Sequence, residues 1–580
     1  MSTANPERRL AGILLALLLA SAAWGASPLQ PEPSTGLVGQ QEAHARHSMV
    51  VTANRHATEA ALEILDYGGT AADAIIAAQL VLNLVEPQSS GLGGGGFLLY
   101  HDAAEGKPHA YDGRETAPGA ARADRFQSPE GRPLAFEDAA VGGLSVGVPG
   151  LPALLDLAHR RHGRLPWPRL FAPAIRLAIE GFPMSARLHA LLADDRFLRE
   201  DPRARALYYL EDGRPRPVGS KLVNREFAAT LMLLAHRRSA GFYEGPLARD
   251  IVAAVRGHAR RPGDLTEADL AAYRAVEREP VCGLRLSGLR VCGMPPPSSG
   301  GVGVLQILAY AGARADDAPL SARVVHRFSE AGRLAYADRA RHLADPDFLR
   351  VPVAELLDAS YLARRAQLIL EDRSMGRAQA GEPVFAAASG IAEAAEFPAT
   401  SHLSIVDADG NAAALTSSIE AAFGSRIQVR GFLLNNQLTD FSFRSREGGK
   451  PVANRVEARK RPLSSMAPTL VYDRNGRIQG IVGSPGGSRI INYVARTLLA
   501  LFTWNLSPGQ ALALPHYGSR NGPTELERGT AAEALKPALA SLGHDVIASD
   551  MTSGLHVIVR RNGEWIGAAD PRREGAAKGR

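Results

Sequence analysis

Residues 70–87, TAADAIIAAQLVLNLVEP, leave few folds open. Thr70 and Asp73 have the spacing of a capping box, in which each side chain satisfies the other residue's backbone N–H. Pro87 marks the end, because it can neither donate a helical hydrogen bond nor fit against the preceding turn. Between these signals the helix is apolar almost all round. It has no face suited to water, so it has to be buried. The preceding ATEAALEILDYGG, 57–69, reads as a helix with Ala, Leu and Ile on one stripe, ended by Gly68 and Gly69.

A Gly-rich run follows, QSSGLGGGGFLLYHDA, with Gly91 and Gly93–Gly96 leading into a strand at 97–100. Phosphate loops follow a strand and open a helix. This run follows a helix and opens a strand, so it predicts a close approach of backbones instead. Residues 150–390 are largely helical, with MPPPSSGG forming a rigid turn before the helix that begins VGVLQILAY. AAASGIAEAAEFPA, 386–399, is small and weakly periodic and reads as an exposed linker.

The last third changes character. SHLSIVDADGNAAALTSS predicts a strand, a turn and a strand. GFLLNNQL, APTLVYD and IQGIVGSPGG add strands. RIINYVARTLLALFTW and TAAEALKPALASLG read as amphipathic helices, and LHVIVRR and WIGAAD close as strands. Strands between helices predict a layered α/β domain. A hairpin turn centred on Ala408-Asp409 would set Val406 opposite Asn411 and Thr400 opposite Ser417 or Ser418. Thr400-Ser401-His402 is not a Ser–His catalytic pair, because neighbours on a strand point to opposite faces. By itself Thr400 beside Ser418 reads as an ordinary cross-strand pair.

The N-terminus has Arg8 and Arg9, then LAGILLALLLASAAWGA. A basic start, a short apolar run and a small-residue exit make a secretory signal, 1–26, with cleavage expected between Ala23 and Ala26. The run is short for a membrane span, which disfavours the other reading, an uncleaved anchor. The expected location is secreted or periplasmic, with no stable span after cleavage. The chain of 580 residues carries a net charge of +6, but its basic residues are scattered among acids. Without a basic block interleaved with aromatics, nucleic acid is not an expected partner.

Two cysteines, Cys282 and Cys292, flank short alternating runs in PVCGLRLSGLRVCGM. A cross-strand disulfide in an exported protein and two buried free thiols both fit. With no His nearby they do not form a zinc site, and no HExxH-type spacing occurs. No metal is expected.

The ordered set EFPATSHLSIVDADGN, FGS, LLNNQLTDFS, KRPLSSMAPTLV and GSPGGSRII resembles the gamma-glutamyltranspeptidases. VEPQSSGLGGGGFLLY, GRETAP, GLSVGVPG, PPPSSGG, LAYADRARHLADPDF and GAADPRREGAA extend the resemblance over nearly the whole chain after residue 48. The resemblance implies an N-terminal-nucleophile hydrolase fold, a four-layer αββα sandwich with a largely helical middle portion in the large subunit. It implies a precursor that cuts itself between Ala399 and Thr400 into a large subunit, 27–399, and a small subunit, 400–580, which stay together as a heterodimer. No cofactor is implied. The activity implied is cleavage of γ-glutamyl amides such as glutathione through an ester on Thr400, with transfer to water or to amino acids and peptides.

The chemistry accounts for a Thr at that position. A hydroxyl needs an adjacent base to become a nucleophile near neutrality. After the cut Thr400 owns a free α-amine, whose pKa in model compounds is about 7.7–8.0. The resemblance assigns Ser418 as the hydroxyl supporting the nucleophile, and Gly486 and Gly487 as oxyanion donors. It assigns Arg114, Ser464 and Ser465 to the substrate α-carboxylate, and Glu420, Gln437 and Asp440 to its ammonium. The sequence departs from many members in having Ser401 after the nucleophile, Ser418 where Thr is frequent, and Glu420 where Asn is frequent. Residues 441–459 are shorter than a pocket-covering loop and lack its Tyr, which predicts a more open pocket. Two rival readings are a glutaryl-type (cephalosporin) acylase or polyglutamate-cleaving relative of the same fold, and a non-maturing periplasmic binding protein.

Overall fold

The protein is described by a computed structural model covering residues 42–286, 288–384, 389–392 and 399–580. The secretory signal and most of the 386–399 linker lie outside the described residues.

Two seven-stranded antiparallel sheets face each other. The first runs Ala576–Gly579, Met49–Thr52, Ala399–Val406, Ala412–Glu420, Gly95–Asp102, Lys107–Gly113, Val276–Arg278. The second runs Ala43–Ala45, Glu564–Ala569, His556–Arg561, Ile478–Gly483, Thr469–Tyr472, Leu289–Gly293, Val281–Arg285. Strand alternation divides the core. Val50, Leu98, Leu403 and Ala413 point to helices outside the first sheet. Met49, Val51, Phe97, Leu99 and Ala412 point the other way, into the space between sheets. Helices Gly300–Tyr310 and Ile490–Phe502 cover the second sheet, and Ala322–His342 packs on the first of these and on strand Tyr517–Ser519. The result is the expected αββα sandwich.

The apolar helix spans Ala71–Val85 and begins with the predicted Thr70–Asp73 capping box. All of its residues are buried. It lies between the first sheet and helices Arg55–Asp66, Leu151–His162 and Ala172–Glu180, which explains why it has no polar face. Ser417 Oγ donates to Gln79 Oε1 at 2.6 Å and ties this helix to the strand that carries Ser418.

The Gly-rich run is a close approach, as its order predicts. A Cβ on Gly94 would lie 2.1 Å from the Ser418 carbonyl oxygen, and one on Gly93 2.0 Å from that of Leu433. Cys282 and Cys292 stand directly opposite each other on their hairpin and are joined as a disulfide. Among the described residues no helix is long and apolar enough to cross a membrane.

Four local expectations differ. Val406 pairs with Ala412, not Asn411, because Asp407 Oδ1 accepts from the Asp409 and Asn411 backbone N–H groups and builds a longer turn. The helix expected over 57–69 begins at Arg55, capped by the Asn54 side chain, and ends at Asp66. GFLLNNQL yields only the short strand Phe432–Leu433, after which Gln437–Asp440 forms a 3-10 turn. TAAEALKPALASLG splits into a 3-10 turn, Ala531–Leu535, and a short helix, Lys536–Ser541, at Pro537 near its start.

Candidate active site

Thr400 sits at an irregularity in its strand. The ladder pairs Ser401 with Ser417 but Ala399 with Glu420, so one residue is out of step at the head of the hairpin. Bulges re-aim side chains where they occur. Glu420, on the partner strand, has a φ of +80°, a left-handed value uncommon for a residue with a side chain.

Thr400 Oγ1 donates to the Ala399 carbonyl oxygen at 2.7 Å and lies 3.2 Å from Ser418 Oγ. Ser418 Oγ also donates to the Ala399 carbonyl at 2.7 Å. The hydroxyls of Thr400 and Ser418 therefore converge on one peptide carbonyl, that of Ala399. Arg573 Nη1 donates to the Thr400 carbonyl at 3.1 Å and holds the bond on the other side.

Ser401 and His402 diverge as alternation requires. His402 is buried between the sheets, with Nδ1 2.8 Å from Thr416 Oγ1 and Nε2 3.0 Å from Ser404 Oγ. A Cβ on Gly483 of the facing sheet would lie 2.1 Å from the His402 ring. Burial holds the His402 imidazole well below its usual pKa, with His556 acting in the same direction. His402 packs beneath Thr400.

Arg114 follows the strand Lys107–Gly113 and is fully buried. Its Nη2 donates to Asp440 Oδ2 at 2.5 Å and to the Leu463 carbonyl at 2.8 Å, and its Nε donates to the Pro462 carbonyl at 3.1 Å. Gln437 Nε2 donates to the same Asp440 oxygen at 2.7 Å, within the 3-10 turn that positions both. Asn436 Nδ2 donates to Glu420 Oε2 at 2.5 Å, and Asn436 Oδ1 accepts from the Ala421 N–H at 3.0 Å.

Gly486 and Gly487 form the turn between strand Ile478–Gly483 and helix Ile490–Phe502. Their φ values are +136° and +56°. A Cβ on Gly486 would lie 2.6 Å from the Tyr493 ring. The turn thus sets Gly487 on the cavity that Thr400 also lines, just ahead of the positive end of the dipole of the helix that follows.

Arg114, Thr400, Ser418, Glu420, Gln437, Asp440, Ser464 and Gly487 line one cavity of about 20 Å³, together with Met466 and Ile490. Ser465 and Gly486 are buried beside it without lining it. No residue of 441–459 is among those lining this cavity. The segment includes the exposed hairpin Arg446–Glu447 with Lys450–Pro451, and its Phe443 stacks on Phe126 at 4.7 Å.

Three contributors had no assigned role in the sequence reading. Asn436 orients Glu420, Arg573 anchors the Thr400 carbonyl, and Glu115 adjoins Arg114. Glu115 is fully buried with its Oε2 3.7 Å from Arg114 Nη1, and burial pushes its carboxyl up to about 8. Each falls within a segment of the family resemblance, but only folding shows what it touches.

His326, Glu330 and His544 are close enough together to hold a metal ion. Their polar atoms are engaged within the protein. His326 joins the Leu370 carbonyl to His544, and His544 meets Thr524. Glu330 accepts from Arg333, Ser374 and the Met375 N–H. This is a hydrogen-bonded strut between helix Ala322–His342 and the small sheet around Thr524–Glu527.

The family model described as Gamma-glutamyltranspeptidase matches residues 57–580. The glutathione hydrolase proenzyme of Escherichia coli (strain K12) is 34% identical over 591 residues, covering 97% of each chain. The Acylase ACY 1 proenzyme of Pseudomonas sp. (strain SE83) is 33% identical, covering 92% of this chain and 94% of its own. The crystal structure of a cephalosporin acylase from Bacillus halodurans superposes with a TM-score of 0.80 at 25% identity, covering 95% of this chain and 99% of that one. The chain belongs to the gamma-glutamyltranspeptidase family.

Proposed function

We propose that this protein is an exported, self-processing enzyme that cleaves γ-glutamyl amides such as glutathione and transfers the γ-glutamyl group to water or to an amine. The observation that supports it most is the convergence of Thr400 Oγ1 and Ser418 Oγ on the Ala399 carbonyl.

In maturation Thr400 Oγ attacks the Ala399 carbonyl carbon. The C–N bond breaks, the hydroxyl proton ends on the Thr400 nitrogen, and an ester joins Ala399 to Thr400 Oγ. Water hydrolyses the ester, leaving an Ala399 carboxylate and a Thr400 with free amine and hydroxyl. Residues up to 399 become the large subunit and 400–580 the small one, and the shared sheets hold them as a heterodimer. Ala399–Val406 is flanked in its sheet by Met49–Thr52 from the large part, which supports that association.

In turnover Thr400 Oγ attacks the γ-carbonyl and its α-amine takes the proton. Ser418 steadies the nucleophile, and Gly486 and Gly487 supply N–H groups to the oxyanion. The departing amine receives the proton, and water or a second amine resolves the ester. Arg114, with Ser464 and Ser465, holds the substrate carboxylate. Asp440, Gln437 and Glu420 hold its ammonium.

The test is a denaturing gel of the parent beside Thr400→Ala. Two chains for the parent and one for the variant are expected. One uncut chain in both would remove the maturation step and the mechanism built on it.

The acylase relatives favour a second reading, removal of glutaryl-type side chains on the same Thr400 nucleophile. Asp440 and Glu420 in the cavity argue against it, because a glutaryl chain brings no ammonium to meet them.

A further inference from the structure

Gly486 and Gly487 have no side chains with which to hold their own turn, and both sit at positive φ, from which a glycine can swing at little cost. Whatever fixes this turn has to grip the residues that follow. Ser488 and Arg489 complete the same 3-10 turn, Gly487–Arg489, and both are gripped from outside it.

Tyr336 Oη donates to the Ser488 carbonyl. Arg520 Nη1 donates to Ser488 Oγ at 2.7 Å, and its Nη2 donates to Glu525 Oε1 at 2.8 Å. Arg489 Nε and Nη2 donate to the two Glu525 oxygens at 2.9 and 2.7 Å, a fork meeting a fork. Glu525 is buried on strand Thr524–Glu527, so one side of the turn is tied to the small sheet. Tyr336 holds the turn from helix Ala322–His342, which is buried over most of its length and about six turns long. The two holds come from different parts of the chain. Tyr336 lies before the Ala399–Thr400 bond, whereas Ser488, Arg520 and Glu525 lie after it.

We propose that Tyr336 and Arg520 are positioning residues for the reaction, setting the turn whose Gly486 and Gly487 N–H groups meet the oxyanion. This deepens the γ-glutamyl reading above and rests on it. Neither residue lines the cavity at Thr400, so each acts through Ser488. Oxyanion donors accelerate a reaction because they are aimed before the charge develops. When one hold on Ser488 is lost, the glycine pair swings and its N–H groups are aimed for only part of the time. Substrate binding rests on Arg114 and Asp440 and does not change. Self-cleavage does not change either, because the Ala399 carbonyl is met by Thr400 Oγ1 and Ser418 Oγ.

The experiment follows kcat and KM for a γ-glutamyl anilide, the disappearance of uncut chain, and the thermal midpoint, in the parent and in Tyr336→Phe. The variant is expected to lose about five- to tenfold in kcat, the scale of one lost hydrogen bond, with KM within about twofold. Its self-cleavage is expected to match the parent's. Arg520→Met removes the other hold on Ser488 and is expected to show the same split, which decides the question should Tyr336→Phe fail to fold. An unchanged kcat overturns the assignment. So does a kcat loss matched by an equal slowing of self-cleavage and a lowered thermal midpoint, since the residue would then serve the fold alone. A parent that leaves the anilide uncut overturns the γ-glutamyl reading itself, and the positioning role with it.

Discussion

Arg114 Nη2 lies 2.5 Å from Asp440 Oδ2, so two residues assigned to opposite ends of a substrate neutralise each other. Both are buried. A ligand carrying one carboxylate and one ammonium can exchange into this pair without changing its charge balance: its carboxylate takes Arg114 and its ammonium takes Asp440. A glutaryl group takes Arg114 and leaves Asp440 without its cation. Stranding a buried charge costs about 3–5 kcal/mol. The γ-glutamyl anilide is therefore expected to exceed the glutaryl anilide in kcat/KM by at least about a hundredfold. Comparable rates for the two would sink this account of Asp440.

Arg114→Lys keeps the charge and loses the fork. Arg114 Nε and Nη2 also bind the Pro462 and Leu463 carbonyls, so a lysine cannot hold that loop and a carboxylate together. The expected result is a KM raised about tenfold or more, the scale of a lost charge-assisted bond, with two chains still on the gel. Steady-state kinetics checks this, and an unchanged KM would place the substrate carboxylate elsewhere.

Ser418→Ala removes a donor from the Ala399 carbonyl and a neighbour from Thr400 Oγ. Loss of one donor to a developing oxyanion typically slows acyl transfer about 10²–10³-fold. Maturation is expected to slow on that scale, followed as the uncut chain disappearing over hours. Ser418→Thr retains the hydroxyl and is expected to restore it. Equal slowing in both variants would mean that Ser418 acts through packing.

The fold was legible where one local rule decided it. The Thr70–Asp73 box, the apolar helix and the Gly-rich backbone approach followed from period, capping and the lack of room for a Cβ. The hairpin register was misjudged because the Asp407 side chain lengthens the turn, and a side chain capping its own turn is not visible in strand alternation. The resemblance named the residues around Thr400, but not that Arg114 and Asp440 pair, nor that Asn436 holds Glu420 and Arg573 holds Thr400. Those contacts join segments far apart in the chain, and period and spacing carry no information about them.

Buried histidines behind Thr400 tie stability to pH. His556 is fully buried, its ring 5.9 Å from that of His402. Burial pushes its pKa down to about 4; Arg573 acts in the same direction, while a His402 backbone contact and Asp570 oppose it. An unfolded histidine titrates near 6.5. Between those values the unfolded chain binds a proton that the folded one refuses, so stability rises with pH. The contribution is complete above about 6.5 and is lost as pH falls toward 4, amounting to up to about 3 kcal/mol. His402 is shifted in the same direction and adds to the slope. Urea midpoints are therefore expected to change little from pH 7.5 to about 6.5 and to fall from there to pH 5 in the parent. His556→Gln cannot take up that proton in either state, and its midpoint is expected to fall less steeply. Parallel slopes for the two proteins would mean that other groups carry the acid sensitivity.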